Sequence, residues 1–315
     1  MDERHHLKVY IPTTSINAQS LNISPIIQSQ ESSILNVQKS RVKIQNKRFK
    51  KIIAFDLDET LGSFHDLHIL WCGLKQIRKN SFTLEQDEFN AILDLYPEFL
   101  RDRILHILEY IYEKKQQCIC DKIYIYTNNQ CQPPWVSLIS NYFAFKLGID
   151  LFFDKNVCAF KIKNVPIEIS RTSHKKTYTD FIHCTVIPKT SEICFIDNTH
   201  YPEMQNEKIY YIQPRAYVHS LGYIEIIERF LNSEFGKSFQ HSLQTTPVFK
   251  EYLLDWFDFH GSHSKPQEKI TDVHYFVAQK MLYHIKEFLY FANKKPRTKK
   301  RRTRLSKVTR KNYKM

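Results

Sequence analysis

Two acids placed two residues apart at the end of an apolar run constrain this chain more than any other feature. Residues 51–55, KIIAF, put β-branched Ile52 and Ile53 in a short apolar segment that reads as a buried parallel strand. Asp56 and Asp58 follow at once in the string FDLDETL. In extended backbone, side chains at i and i+2 point to the same side. The two carboxylates are therefore expected to face one pocket, with Thr60 just beyond. Carboxylates at the carboxyl edge of a parallel sheet suit a hard metal ion, or a division of work between nucleophile and general acid. Taken alone, such a pair is equally a turn or a helix cap.

Three later segments turn the pair into a pattern. KIYIYTNNQ (122–130) alternates β-formers and ends at Thr127, Asn128 and Asn129. SRTSHKKTYTDFI supplies Lys175 and Lys176, the second directly before the helix-like TYTDFI. EICFIDNTHYP ends an apolar run from Ile193 to Ile196 with Asp197 and Asn198. Each has a plain alternative: Thr127 as a β-branched strand terminus, the lysines as solvated surface, Asp197-Asn198 as an ordinary turn. Their types, order and strand context together are what point to a site.

The combination resembles the haloacid dehalogenase superfamily in its DxDxT phosphatase form. DLDETL is similar to the branch holding the RNA polymerase C-terminal-domain phosphatases, the small C-terminal-domain phosphatases and the Dullard-like (NLI-interacting-factor-like) enzymes. The resemblance covers roughly residues 50–216. It implies an α/β fold, a Rossmann-like parallel sheet flanked by helices. It implies Asp56 as nucleophile, Asp58 as general acid and base, Thr127 as a hydrogen-bond donor to the phosphoryl group, and Lys176 (with Lys175 as alternative) as its counter-charge. It also implies Mg²⁺ held by Asp56, the Asp58 carbonyl, Asp197 and Asn198. The implied activity is phosphomonoester hydrolysis through an aspartyl-phosphate, on phosphoserine or phosphothreonine in a protein. TNNQ departs from the pattern, since this branch more often has a small residue after the Thr, and that bears on substrate shape. Two alternatives stay open: a nucleic-acid-end or nucleotide phosphatase, and a non-catalytic adaptor that binds phosphorylated proteins.

The rest of the chain reads more coarsely. Residues 1–48, rich in Ser, Gln and Asn without lasting periodicity, read as a largely disordered polar segment. The phosphatase-like domain is expected over 49–216. Pro97 suits a helix start, and FLRDRILHILEYIYEKK after it carries a broad apolar stripe expected to pack on the sheet. GSFHDLHILWCGL (62–74) stands where this superfamily carries a small flap, with His68 and Trp71 either contacting substrate or anchoring structure. Residues 151–169 read as a hairpin or insert near the substrate entrance. A helical extension is expected over 217–293. In its last helix Val273, Phe276, Val277, Met281, Ile285, Phe288, Leu289 and Ala292 share one side, set to pack on the core or to dock a partner.

Residues 294–315 carry twelve Lys or Arg and no acid. The chain's net charge is +13, of which residues 1–50 supply +5 and the tail +12, so residues 51–293 are net −4. The basic character therefore belongs to the ends. KKRRTR reads as a contact for an import factor or nucleic acid, for an anionic membrane surface, or as a solvated run. The charged start MDERHH and the want of any 18-residue apolar stretch predict an intracellular protein, nuclear or cytoplasmic, without a transmembrane segment. Seven cysteines, an odd and irregularly spaced set, fit reduced thiols, and Cys118-Ile119-Cys120 lacks a second pair for zinc.

Overall fold

The computed structural model describes residues 8–10, 49–77, 84–243, 246–261 and 271–291. Strand β1 (Lys8–Tyr10) lies within the segment expected to be disordered. Its three residues, with Val9 and Tyr10 as β-formers, are too few to register as a period, yet they suffice to pair with the sheet edge at β8. The remainder of that segment and the basic tail lie outside the described residues.

Along the chain, β2 (Lys51–Phe55) is followed by α1 (His65–Ile77), α2 (Gln86–Asp94), α3 (Ile104–Gln116) and β3 (Lys122–Tyr126). Then come α4 (Pro133–Lys146), β4 (Lys155–Val157), the two-residue strands β5 (Lys161–Ile162) and β6 (Val165–Pro166), and α5 (Tyr178–Thr185). Strands β7 (Glu192–Ile196) and β8 (Ile209–Gln213) complete the sheet, and α6 (Tyr223–Asn232), α7 (Glu234–Leu243), α8 (Thr246–Phe259) and α9 (Thr271–Phe291) close the described chain. The sheet order is β1-β8-β7-β2-β3-β4, parallel throughout except for the antiparallel edge strand β1. This is the Rossmann-like α/β arrangement expected from the sequence, with C-terminal helices.

Strand periodicity divides the core. Ile53, Phe55, Ile123, Ile125 and Ile196 face the layer of α1–α4, α6, α8 and α9. Ile52, Ala54, Tyr124, Tyr126 and Phe195 face α5, through Phe181 and Ile182. Every residue of β2 is buried, as a parallel strand covered on both sides requires. The C-terminal helices join the first layer: α8 lies on α1, and α9 on α3 and β8. Trp256 donates its indole N–H to the Ile69 carbonyl at 2.9 Å, and Tyr96 its hydroxyl to the Ile226 carbonyl at 2.6 Å. On α9 the predicted side is buried from Val277 to Leu289, but Phe276 is 59 % exposed; Ala292 is outside the described residues. Among the described residues no helix is long and apolar enough to cross a membrane.

Three local expectations are corrected or refined. The helix read from Pro97 begins only at Ile104, after a 3₁₀ turn over Pro97–Phe99. Leu100 instead bridges to Gly62, and the Arg101 amide donates to the Leu61 carbonyl at 3.0 Å, which draws this stretch out of helical geometry. Of residues 62–74, where a flap was expected, those from His65 on belong to helix α1, and Trp71 is buried edge-on against Phe89 at 5.3 Å. In 151–169 only β5 and β6 form a hairpin, turned by Lys163 and Asn164 at positive φ, while β4 joins the main sheet.

Candidate active site

The sheet reverses its order at β2, which has β3 on one side and β7 on the other. In open α/β sheets the crevice beyond the strand ends at such a point is where ligands bind. Asp56, Thr127 and Asp197 are each the first residue past the end of β2, β3 and β7. Their amides still continue the ladder, donating to the carbonyls of Ile196, Val157 and Ile212 at 2.8, 2.9 and 3.1 Å. The backbone that fixes the sheet thus fixes these three side chains.

Lys176 reaches the same edge from the turn before α5, where Thr177 caps the helix by accepting from the Asp180 amide. Its ammonium donates to Asp56 Oδ1 at 2.5 Å and Asp197 Oδ2 at 2.6 Å. All three side chains are buried. Burial alone disfavours the ammonium, but Asp197 and Asp56 outweigh it and hold Lys176 above the ordinary lysine pKa. Asp197 is pushed up, chiefly by burial and secondarily by the charge on Asp56, against the pull of Lys176. Lys175 turns outward to Glu203 at 2.6 Å.

The chain after Asp56 folds back tightly. Glu59 adopts φ 57°, a conformation uncommon outside glycine. The buried Arg101 guanidinium donates to the carbonyls of Glu59, Thr60 and Arg215, and the Tyr217 amide also donates to Glu59. Gly62 is required here, because a Cβ would collide with the Phe99 carbonyl and the Phe64 ring. The result aims the Thr60 hydroxyl into the site. It donates to Asn198 Oδ1 at 3.0 Å, touches Asp56 Oδ2 at 3.5 Å and accepts from the Asn198 amide at 3.1 Å.

Asp58 lies on the other side of the loop, half-buried. Asn129 donates to its Oδ2 at 2.7 Å. Burial, and then the charge on Asp56, push the Asp58 carboxyl up to about 6, despite that hydrogen bond. Thr127 is buried, and its hydroxyl accepts from the Asn129 amide at 3.0 Å. The buried Arg171 ties the loops together, donating to the Thr127 and Cys158 carbonyls and to Asn128 Oδ1.

All six residues singled out from the sequence, Asp56, Asp58, Thr127, Lys176, Asp197 and Asn198, thus come to one edge. Sequence reasoning missed Arg101, Arg171 and the role of Asn129. The two arginines were lost among 46 basic residues. Asn129 did leave a trace, since TNNQ was the one departure from the expected pattern.

The site offers Asp56 Oδ2 and Asn198 Oδ1, both touching the Thr60 hydroxyl, beside a buried trio of two acids and one lysine. Hard oxygen donors with surplus negative charge fit Mg²⁺. Among the described residues no group of three or more His, Cys, Asp or Glu side chains is arranged to hold a metal. The set here has two such acids, Asp56 and Asp197, with Asn198 as a further oxygen donor. No protein-family model, curated protein or solved structure matches the chain.

Proposed function

We propose that the protein is a Mg²⁺-dependent phosphomonoesterase working through an aspartyl-phosphate, with phosphoserine or phosphothreonine in a protein as substrate. The observation that carries this reading is the division of labour between two carboxylates of one strand end: Asp56 is clamped by Lys176, and Asp58 stands apart with its pKa raised to about 6. Enzymes of this class supply up to ~10²¹-fold acceleration over the uncatalysed reaction. Attack of a carboxylate on a phosphate dianion therefore needs positive charge close by.

In the first step an Asp56 carboxylate oxygen bonds to phosphorus as the ester oxygen leaves. Asp58, protonated below pH about 6, gives its proton to that oxygen. In the second step Asp58 takes a proton from water, which attacks phosphorus and releases Asp56 and inorganic phosphate. Lys176 offsets the charge on Asp56 and the phosphoryl oxygens, and the Thr127 hydroxyl hydrogen-bonds a phosphoryl oxygen. Mg²⁺, held by Asp56, the Asp58 carbonyl, Asp197 and Asn198, supplies further positive charge when bound.

The twelve basic residues of 294–315 support nuclear import or nucleic-acid contact as a separate property of the tail. The direct test is p-nitrophenyl phosphate hydrolysis by the full chain with Mg²⁺, with EDTA, and by Asp56→Asn. We expect turnover that EDTA stops and that falls on the order of 10³-fold or more in the variant. Folded protein with Mg²⁺ that hydrolyses neither this ester nor phosphopeptides overturns the reading in favour of an adaptor.

A further inference from the structure

Asp58 borders a cavity of about 400 Å³ that neither Lys176 nor Asp197 lines. Its walls come from the start of α1 with His65 and His68, the loop after β3 with Asn129, and the first turn of α4 with Trp135. The volume is within the range of specific ligand pockets. Its formal charges are both negative, from Asp58 and Glu59, and no lysine or arginine contributes to the lining.

The uncharged wall is firmly built. Trp135 meets His68 edge-on at 4.8 Å and Phe89 at 5.5 Å. His68 Nε2 lies 3.4 Å from Cys72 Sγ. Burial first, then His65 and His260, hold the His68 imidazole below the ordinary histidine pKa, so it is neutral at pH 7. A leaving group departs from phosphorus on the side of the acid that protonates it, which here is the side of this cavity. With Asp58 protonated as the acid, a polynucleotide would still carry further phosphates towards Glu59, against like charge. A peptide would carry a neighbouring side chain, and a cationic one gains carboxylate and aromatic partners together.

Resting on the phosphatase reading, we propose that the cavity is the leaving-group subsite. It selects phosphopeptides with Arg or Lys beside the phosphorylated residue over acidic phosphopeptides and phosphorylated nucleic acid.

The test uses the full chain with matched phosphoserine peptides flanked by Arg or by Glu, and a 5′-phosphorylated oligonucleotide. p-Nitrophenyl phosphate serves as an ester too small to sense the flanks. We expect kcat/KM about tenfold higher for the Arg peptide than the Glu peptide, with the oligonucleotide slowest. Glu59→Gln narrows the ratio to about two- or threefold, each rate taken relative to p-nitrophenyl phosphate with the same variant. Gln130→Lys, which sets a cation at the exposed rim, inverts it. Equal kcat/KM for the two peptides, or preference for the oligonucleotide, overturns the subsite. Fluorescence anisotropy with the same peptides and Asp56→Asn keeps the two readings apart. If neither p-nitrophenyl phosphate nor the phosphopeptides are hydrolysed, the phosphatase reading fails. The subsite then stands on tighter binding of the Arg peptide, and falls if both peptides bind alike.

Discussion

Asp154 and Asp197 stand at opposite edges of one sheet, each beside lysine, and the contrast separates a staple from a site. At the amino edge Asp154 accepts from Lys115 and Lys122 at 2.8 and 2.6 Å and from the Ile123 amide at 2.8 Å. One acid there faces two lysines. At the carboxyl edge two acids face one lysine, with Asp58 and Glu59 close by. The first arrangement has no negative charge to spare. The second keeps a surplus inside the protein, where uncompensated charge is costly. Such a surplus is the expected condition of a place meant to receive a cation or to work on a proton.

The largest effect on this comparison should come from Lys176→Met. It leaves Asp56 and Asp197 buried against each other, so urea unfolding at pH 7 should show a loss of about 3–5 kcal/mol. Because protonation relieves two bare carboxylates, the deficit should shrink as pH falls. A loss that does not change with pH would break the contrast.

Asp154→Ala should cost less, about 1–2 kcal/mol, since its lysines are partly exposed. Burial raises the Asp154 pKa, but the hydrogen bonds from Lys115, Lys122 and the Ile123 amide outweigh it and hold it below the ordinary value. Its contribution is therefore present above the unfolded-state pKa and lost as pH falls through the lowered one. Turnover of p-nitrophenyl phosphate should stay at the wild-type level. A fall in turnover greater than the fall in folded fraction would mean that the amino edge reaches the site.

Asp58→Asn should have the smallest effect on stability and the opposite sign. With its folded pKa raised to about 6, Asp58 contributes stability below the unfolded-state value near 3.8, and loses it as pH rises through about 6. Above pH 6 the variant should therefore be more stable than wild type by about 1 kcal/mol. In the wild type, kcat/KM for an alkyl phosphate should fall above pH ~6 as the donor proton is lost, and the variant should lack that limb. A destabilised variant would place Asp58 with the staples.

Much of this was legible in the sequence because parallel strands announce themselves as short apolar runs, and the residues just past them are fixed by the ladder. Asp56, Thr127 and Asp197 were found that way. Lys176 needed only its position before a helix. Arg101 and Arg171 were not legible, because what they hold is backbone carbonyl far along the chain, and carbonyls leave no mark on sequence. The cavity beside Asp58 was hidden for a related reason. Its walls come from α1 and α4, and residues 62–74 resembled a flap only as long as they were read without the helix they form.

One contact bears on how the molecule comes into being. The ammonium of Lys51, at the root of the central strand, donates to the carbonyls of Phe288 and Leu289 near the end of α9, sequence separations of 237 and 238 residues. Loop closure over such distances comes late and slowly. During synthesis the sheet must therefore wait, one of its faces incompletely covered, until α9 has left the ribosome. A chain stopped short of residue 288 would keep every residue of the proposed chemistry and still lack the contact that closes the base of β2.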